Sequence, residues 1–280
     1  MKVQYLGTGG AEGFPGLFCE CHACKKARLL GGKNIKSRSC TLINDTVLLD
    51  VSPDIYFQAI TNNINLSKVK SVIFTHSHMD HLDLFSICLR ARDSASIIPE
   101  LSDQGNYITL YGSNKVINDV KKMVQNGKRE NINRFKLNLI ASLNVIDCDG
   151  VKFYPIRTIH DPSEDCYIYA INGGNSWFLY ANDSGLFSKD VYRRLEELSP
   201  CFDAVSFDCA RGILSGDGHM SLEDNLTVRK ELVLRGFVKQ STKYYLNHFS
   251  HMCGLVHDEM QNIADNHNFL LAYDGLIFEI

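Results

Sequence analysis

Thr75-His76-Ser77-His78-Met79-Asp80-His81 is the stretch that decides how this chain is read. It follows Ser71-Val72-Ile73-Phe74, a short apolar run that reads as a buried strand. Three imidazoles and a carboxylate therefore crowd the end of one strand. His76 and His78 alternate, so their rings can point the same way while the backbone is extended. Asp80 and His81 then turn off at a different angle. One ion can take the first pair and a second ion the second pair. Nitrogen and oxygen donors suit Zn or Mn better than a thiolate-only site does. The competing reading is a solvated polar loop. With ten His in 280 residues, that order is improbable by chance.

Other candidate donors lie just after predicted strands. His160 follows a strand over 151–158, Asp183 follows one over 176–182, and His248 follows one over 243–247. Taken singly, each is a weak signal, since a lone His after a strand is more often a surface or capping residue than a ligand. If the strands share a sheet edge, all three meet the His76–His81 loop. They then supply the missing members of a two-metal site with one bridging carboxylate.

The rest of the chain is built to fold around such a site. At 45% hydrophobic it has ample material for a core, and no linker or composition shift marks a boundary. One domain over 1–280 is expected. A hairpin is predicted over 41–50 with its turn near Asn44-Asp45, and helices over 52–62, 84–92, 113–125, 188–198, 221–234 and 255–266. Residues 93–107 read as a loop. Further strands are expected at 3–6, 166–171, 204–207, 269–271 and 276–280. Helices interleaved with many hairpins fit an α/β sandwich of two sheets with helices outside.

A net charge of −3 argues against non-specific binding to nucleic acid or to membrane surfaces, which needs a strong basic excess. The basic pairs Lys121-Lys122 and Lys128-Arg129 read as solvated faces. No apolar run approaches the ~20 residues of a membrane span, and no signal-like segment opens the sequence. A cytoplasmic protein is the expectation, with most of the ten Cys as buried free thiols.

The ligand pattern resembles the metallo-β-lactamase superfamily. That resemblance implies an αββα four-layer sandwich with its metals at one edge of the sheets. It also implies that His76, His78 and His160 hold the first metal. Asp80, His81 and His248 would hold the second, Asp183 would bridge them, and Asp50 would support the metal loop from behind. The chain lacks the Gly that many members place shortly after Asp-His. It has Leu82-Asp83-Leu84-Phe85 there, and it shows no long arm of the RNA-gripping kind.

Cys19-Glu20-Cys21-His22-Ala23-Cys24 adds three thiols in six residues. With His251 as a fourth donor they make a closed tetrahedral Zn site of structural type. A redox pair or a buried Cys cluster is the competing reading. This motif, together with Gly7-Thr8-Gly9-Gly10-Ala11, Phe207-Asp208-Cys209 before His219, and Tyr273-Asp274-Gly275, is similar to the PhnP-like phosphodiesterases. The resemblance implies a structural zinc on Cys19, Cys21, Cys24 and His251, and a catalytic role for His219.

The chemistry implied is hydrolysis of a small or cyclic phosphodiester. A water shared by two ions loses a proton near neutral pH and attacks phosphorus. His219, as proton donor, and Asp80 are the candidate catalytic residues. The expected cofactors are two catalytic divalent metals, Zn or Mn, and one structural Zn. The expected partner is a small-molecule substrate, with a homodimer left open. Two rivals remain. One is hydrolysis of a carboxylic ester, thioester or lactone by the same centre. The other is a non-hydrolytic carrier of the same fold.

Overall fold

A computed structural model describes residues 1–92, 94–98, 107–127, 131–142 and 144–280. Most of the expected 93–107 loop, and the pair Lys128-Arg129, lie outside the described residues.

The first half builds one sheet. Its strands are β1 (Lys2–Gly7), β2 (Cys40–Ile43), β3 (Val47–Leu49), β4 (Ser71–Ile73), β5 (Ile108–Gly112) and β6 (Phe135–Leu139). The second half builds another from β7 (Ile146–Cys148), β8 (Val151–Thr158), β9 (Cys166–Asn172), β10 (Trp177–Ala181), β11 (Phe202–Asp208), β12 (Val238–Asn247) and β13 (Leu270–Leu271). The last strand, β14 (Ile277–Glu279), returns to pair with β1. The sheet orders are β14-β1-β2-β3-β4-β5-β6 and β13-β12-β11-β10-β9-β8-β7.

Three apolar cores define the layers. Val3, Tyr5, Ile73, Phe153, Tyr169 and Tyr180 pack between the sheets. On the outer face of the first sheet lie α2 (Ile55–Thr61), α3 (Leu84–Leu89) and α4 (Asn114–Asn126), over Leu48, Val72 and Leu110. On the outer face of the second lie α5 (Lys189–Leu198), α6 (Leu222–Leu234) and α7 (His257–Asp265), over Leu179, Phe207 and Leu246. This is the expected αββα sandwich.

Local chemistry explains the boundaries. Asn44 and Asp45 both have positive φ, as a two-residue hairpin turn matching strand twist requires. Ser113, Ser188 and Ser221 cap α4, α5 and α6 through their side chains, and Asp83 caps α3 in the same way. Gly7 owes its identity to close approach rather than to its φ. A Cβ there would sit 1.9 Å from the Arg38 carbonyl oxygen.

The reading of abundant hairpins holds only in part. β3, β4, β5 and β6 pair in parallel, as do β10 through β13. The helix α1 (His22–Leu30), which starts inside the Cys cluster and carries Cys24, is not among the helices expected from the sequence.

Candidate metal centre

Strand ends place the site. β3 delivers Asp50, β4 delivers the His76–His81 loop, β8 delivers His160, β10 delivers Asp183, β11 delivers Asp208 and β12 delivers His248. Parallel pairing within each half aligns these ends on one edge. Asp50, Asp183 and His248 all have positive φ, between 49° and 64°. A non-glycine residue rarely adopts that conformation. Here it turns each side chain off its strand, and such local strain clusters at functional positions.

Donor atoms converge as expected. Those of His76, His78 and His160 all lie within 4.8 Å of one another, as do those of Asp80, His81 and His248. Asp183 stands between the two groups. Its Oδ1 is 3.0 Å from His248 Nε2 and 3.6 Å from His160 Nε2, while Oδ2 is 2.9 Å from His81 Nε2.

The other ring nitrogen of every imidazole is held by an oxygen. His81 Nδ1 pairs with Asp50 Oδ2 at 2.8 Å, His76 Nδ1 with Thr75 Oγ1 at 2.9 Å and His248 Nδ1 with Ser39 Oγ at 2.8 Å. His160 Nδ1 lies 3.3 Å from the Gly218 carbonyl oxygen, and His78 Nε2 lies 3.0 Å from Asp161 Oδ2. Such outer partners set the tautomer and the ring orientation of metal-binding His.

Gly10 lines the same point. A Cβ there would approach His248 Nε2 at 3.3 Å. Asp50 also accepts from the Thr75 N–H at 2.8 Å, at the base of the His76–His81 loop.

The donor set fits divalent metal. His76 Nε2, His81 Nε2 and Asp183 Oδ2 are buried without a hydrogen-bond partner, even though His81 Nε2 lies 2.9 Å from that same oxygen. The approach is close, but its angles are not those of a hydrogen bond. Leaving such an atom unpaired costs about 1–3 kcal/mol, and three around one point suit a shared cation. The charge pattern agrees. Burial alone would lower the His81 pKa, but the charges of Asp183, Asp80 and Asp50 outweigh it and push it well up.

His219 sits beside this set. Its ring centroid is 5.0 Å from that of His160 and 5.5 Å from that of His248, and its Nδ1 is 2.8 Å from Asp208 Oδ2. Burial works against its charge, yet the carboxylate of Asp208 raises its pKa to about 9.

The Cys19, Cys21, Cys24 and His251 donors also gather within 4.8 Å, with His251 Nδ1 3.3 Å from Cys19 Sγ and 3.7 Å from Cys21 Sγ. The Cys21 thiol is drawn down to about 6, chiefly by the Cys24 N–H and also by His251. Burial pushes the Cys24 thiol up to about 12.

Asp161, Asp208 and Glu164 were not singled out from the sequence for these roles. Glu164 accepts from the Ser77 N–H at 3.1 Å and from Ser77 Oγ at 2.6 Å, which pins the backbone between His76 and His78. Asp208 stood in the quoted run Phe207-Asp208-Cys209, without a role assigned to it.

The family of proteins described as having a β-lactamase superfamily domain matches residues 45–238, more than half of the chain. The chain belongs to the β-lactamase superfamily. Its fold is the metallo-β-lactamase fold, and its His and Asp clusters fit divalent metals. Within the superfamily it is similar to a solved structure described as a new diphosphatase from the PhnP family. That match has 23% identity and a TM-score of 0.74, and covers 100% of this chain and 97% of that one. It is also similar to the short form of human tRNase Z, with 15% identity and a TM-score of 0.67, covering 100% and 99% of the two chains. At these identities the likeness is one of fold. A Porphyromonas gingivalis protein named octanoyltransferase is 28% identical over 120 residues, 39% of this chain. That match spans 23% of the relative's own length. Among the described residues, no helix is long and apolar enough to cross a membrane.

Proposed function

We propose that residues 1–280 form one hydrolase domain that cleaves a small or cyclic phosphodiester with the help of two divalent metals. The observation that carries this reading is the His219–Asp208 pair set against a complete His and Asp donor cluster. His76, His78 and His160 would hold one ion. Asp80, His81 and His248 would hold the other, with Asp183 between them. When bound, such a pair supplies Lewis acidity and a water acidic enough to serve as nucleophile near neutral pH.

The chain's own residues do the rest. Asp208 occupies His219 Nδ1, which leaves Nε2 as the atom that hands a proton to the departing alkoxide oxygen. Asp50 and Glu164 hold the His76–His81 loop in place. Cys19, Cys21, Cys24 and His251 would hold a structural zinc, because soft thiolates select that ion. The shared loop of His248 and His251 ties this second site to the first.

The likeness to proteins named as a diphosphatase and a tRNase supports phosphoryl chemistry. The net charge of −3 supports a small substrate over RNA. The test is a panel of bis(p-nitrophenyl) phosphate, cyclic nucleotides and thioesters. Turnover of the phosphodiesters is expected. Turnover of thioesters with none of the phosphodiesters would overturn the assignment in favour of carboxylic-bond hydrolysis.

A further inference from the structure

On the far side of the first sheet, α2 and α3 are short, with seven and six residues. They leave part of the sheet face uncovered. A cavity of about 370 Å³ opens between them, floored by Leu48, Val72, Ile108 and Leu110 and reaching the surface beside Tyr56 and Ile97. Those last two side chains are 77% and 78% exposed, so the mouth is apolar as well. The size and the apolar walls are those of a site for a small ligand.

The polar groups in the wall are few. Ser67, Ser86, Ser96 and Arg90 line it, with no Asp, Glu, His or Lys among the described lining residues. Arg90 is short of partners. One Nη donates to Ser96 Oγ at 3.1 Å, but its Nε is buried without an acceptor. Burial and the nearby Arg134 both weigh against its charge. A guanidinium presents a planar fork of donors that matches a carboxylate. Here the fork lies at an apolar cavity whose described lining residues supply no anion.

We propose that this cavity is a binding site for a medium-chain carboxylate, with the alkyl chain over Leu48, Val72 and Leu110 and the carboxylate on Arg90. The site is separate from the metal-fitting cluster. None of the His or Asp residues of that cluster lines it, and it lies on the helix-covered face of the sheet rather than at the strand ends. Val51, a wall residue, joins the two sites through its N–H, which donates to the His81 carbonyl oxygen at 2.9 Å. The inference therefore stands or falls independently of the proposed hydrolysis.

Calorimetric titration of the full chain with decanoate tests it, with decyltrimethylammonium as the probe of equal chain length and opposite head charge. One decanoate per chain is expected to bind, and more tightly than the cation. Arg90→Gln should weaken decanoate binding roughly tenfold while leaving the cation unaffected. Ala95→Trp, at the exposed rim, should block both. Decanoate binding should survive metal removal by chelator. The proposal is overturned if decanoate shows no saturable binding, if the cation binds equally well, or if Arg90→Gln changes nothing. It is equally overturned if binding disappears with the metals, because the carboxylate would then have been sitting on the metal centre.

Discussion

Asp208 Oδ2 lies 2.8 Å from His219 Nδ1 and also accepts from the backbone N–H of Asp183 at 3.1 Å. One buried carboxylate thus positions both the candidate proton donor and the residue that stands between the two donor groups. Its other oxygen accepts from the N–H groups of Ala210 and Met220 at 3.0 and 3.2 Å, which locks its own orientation. Donor atoms of Asp183, Asp208, His219 and His248 also lie within 4.8 Å of one another, so His219 is rigidly registered to the donor set.

His219→Ala should therefore keep its metals and lose roughly 10²–10⁴-fold in turnover on a substrate with a poor leaving group. An alkoxide leaves as a strong base and needs the proton. p-Nitrophenolate does not, so the defect should shrink on the activated ester. Steady-state kinetics on both substrates, with metal content measured alongside, decide the matter. Equal losses on the two would remove His219 from proton donation.

Asp50→Asn should weaken retention of the catalytic metals by about 10- to 100-fold, the usual cost of losing an outer carboxylate partner. Asp50 accepts from both His81 and Thr75, so an amide there can no longer satisfy both donors. Competition with a chromogenic chelator measures the change. An unaltered metal affinity would show that the loop keeps its shape without this contact.

Much of the centre was legible in the sequence because its donors are residue types that seldom cluster by accident. The order His76, His78, Asp80, His81 announces the strand end. His160, Asp183 and His248 could be placed because each directly follows an apolar strand run. The outer partners were harder to read. Glu164 and Asp161 reach the metal loop across sheets, 87 and 83 residues away along the chain. Nothing local distinguishes them from solvent-facing carboxylates. β5, β6 and β7 went unread for a related reason. Their apolar stretches are short and mixed with polar residues, and partners far along the chain set their pairing.

Cys21→Ser is expected to lower Tm by on the order of 5–10 °C while changing the chemical step little. Cys21 is also the cap of α1, accepting from the Cys24 N–H. Serine caps a helix well, so the substitution removes a thiolate without removing the cap. Thermal unfolding and turnover on one zinc-replete preparation read both effects. Unchanged melting would contradict a structural zinc on this cluster.

Acid stability should depend on His257. Burial, with Lys36 and Lys33 close by, lowers its pKa from 6.5 to about 3. The unfolded chain takes up this proton near pH 6.5, but the folded chain does not until about pH 3. The unfolded state thus binds more protons in that window. The contribution is fully present above pH 6.5 and is lost as pH falls towards 3. Between pH 7 and 5 the loss should be about 1–2 kcal/mol. His257→Gln should flatten the fall in denaturation midpoint over that range. An unchanged slope would place the acid sensitivity elsewhere.

The most direct test of the central claim is hydrolysis of bis(p-nitrophenyl) phosphate before chelation, after it, and after return of Zn or Mn, with elemental analysis at each stage. The account expects activity to vanish as the catalytic metals leave and to return when two ions per chain are restored, with one zinc retained throughout. Phosphodiester cleavage that persists in metal-free protein, or that stays absent in fully loaded protein, would contradict it.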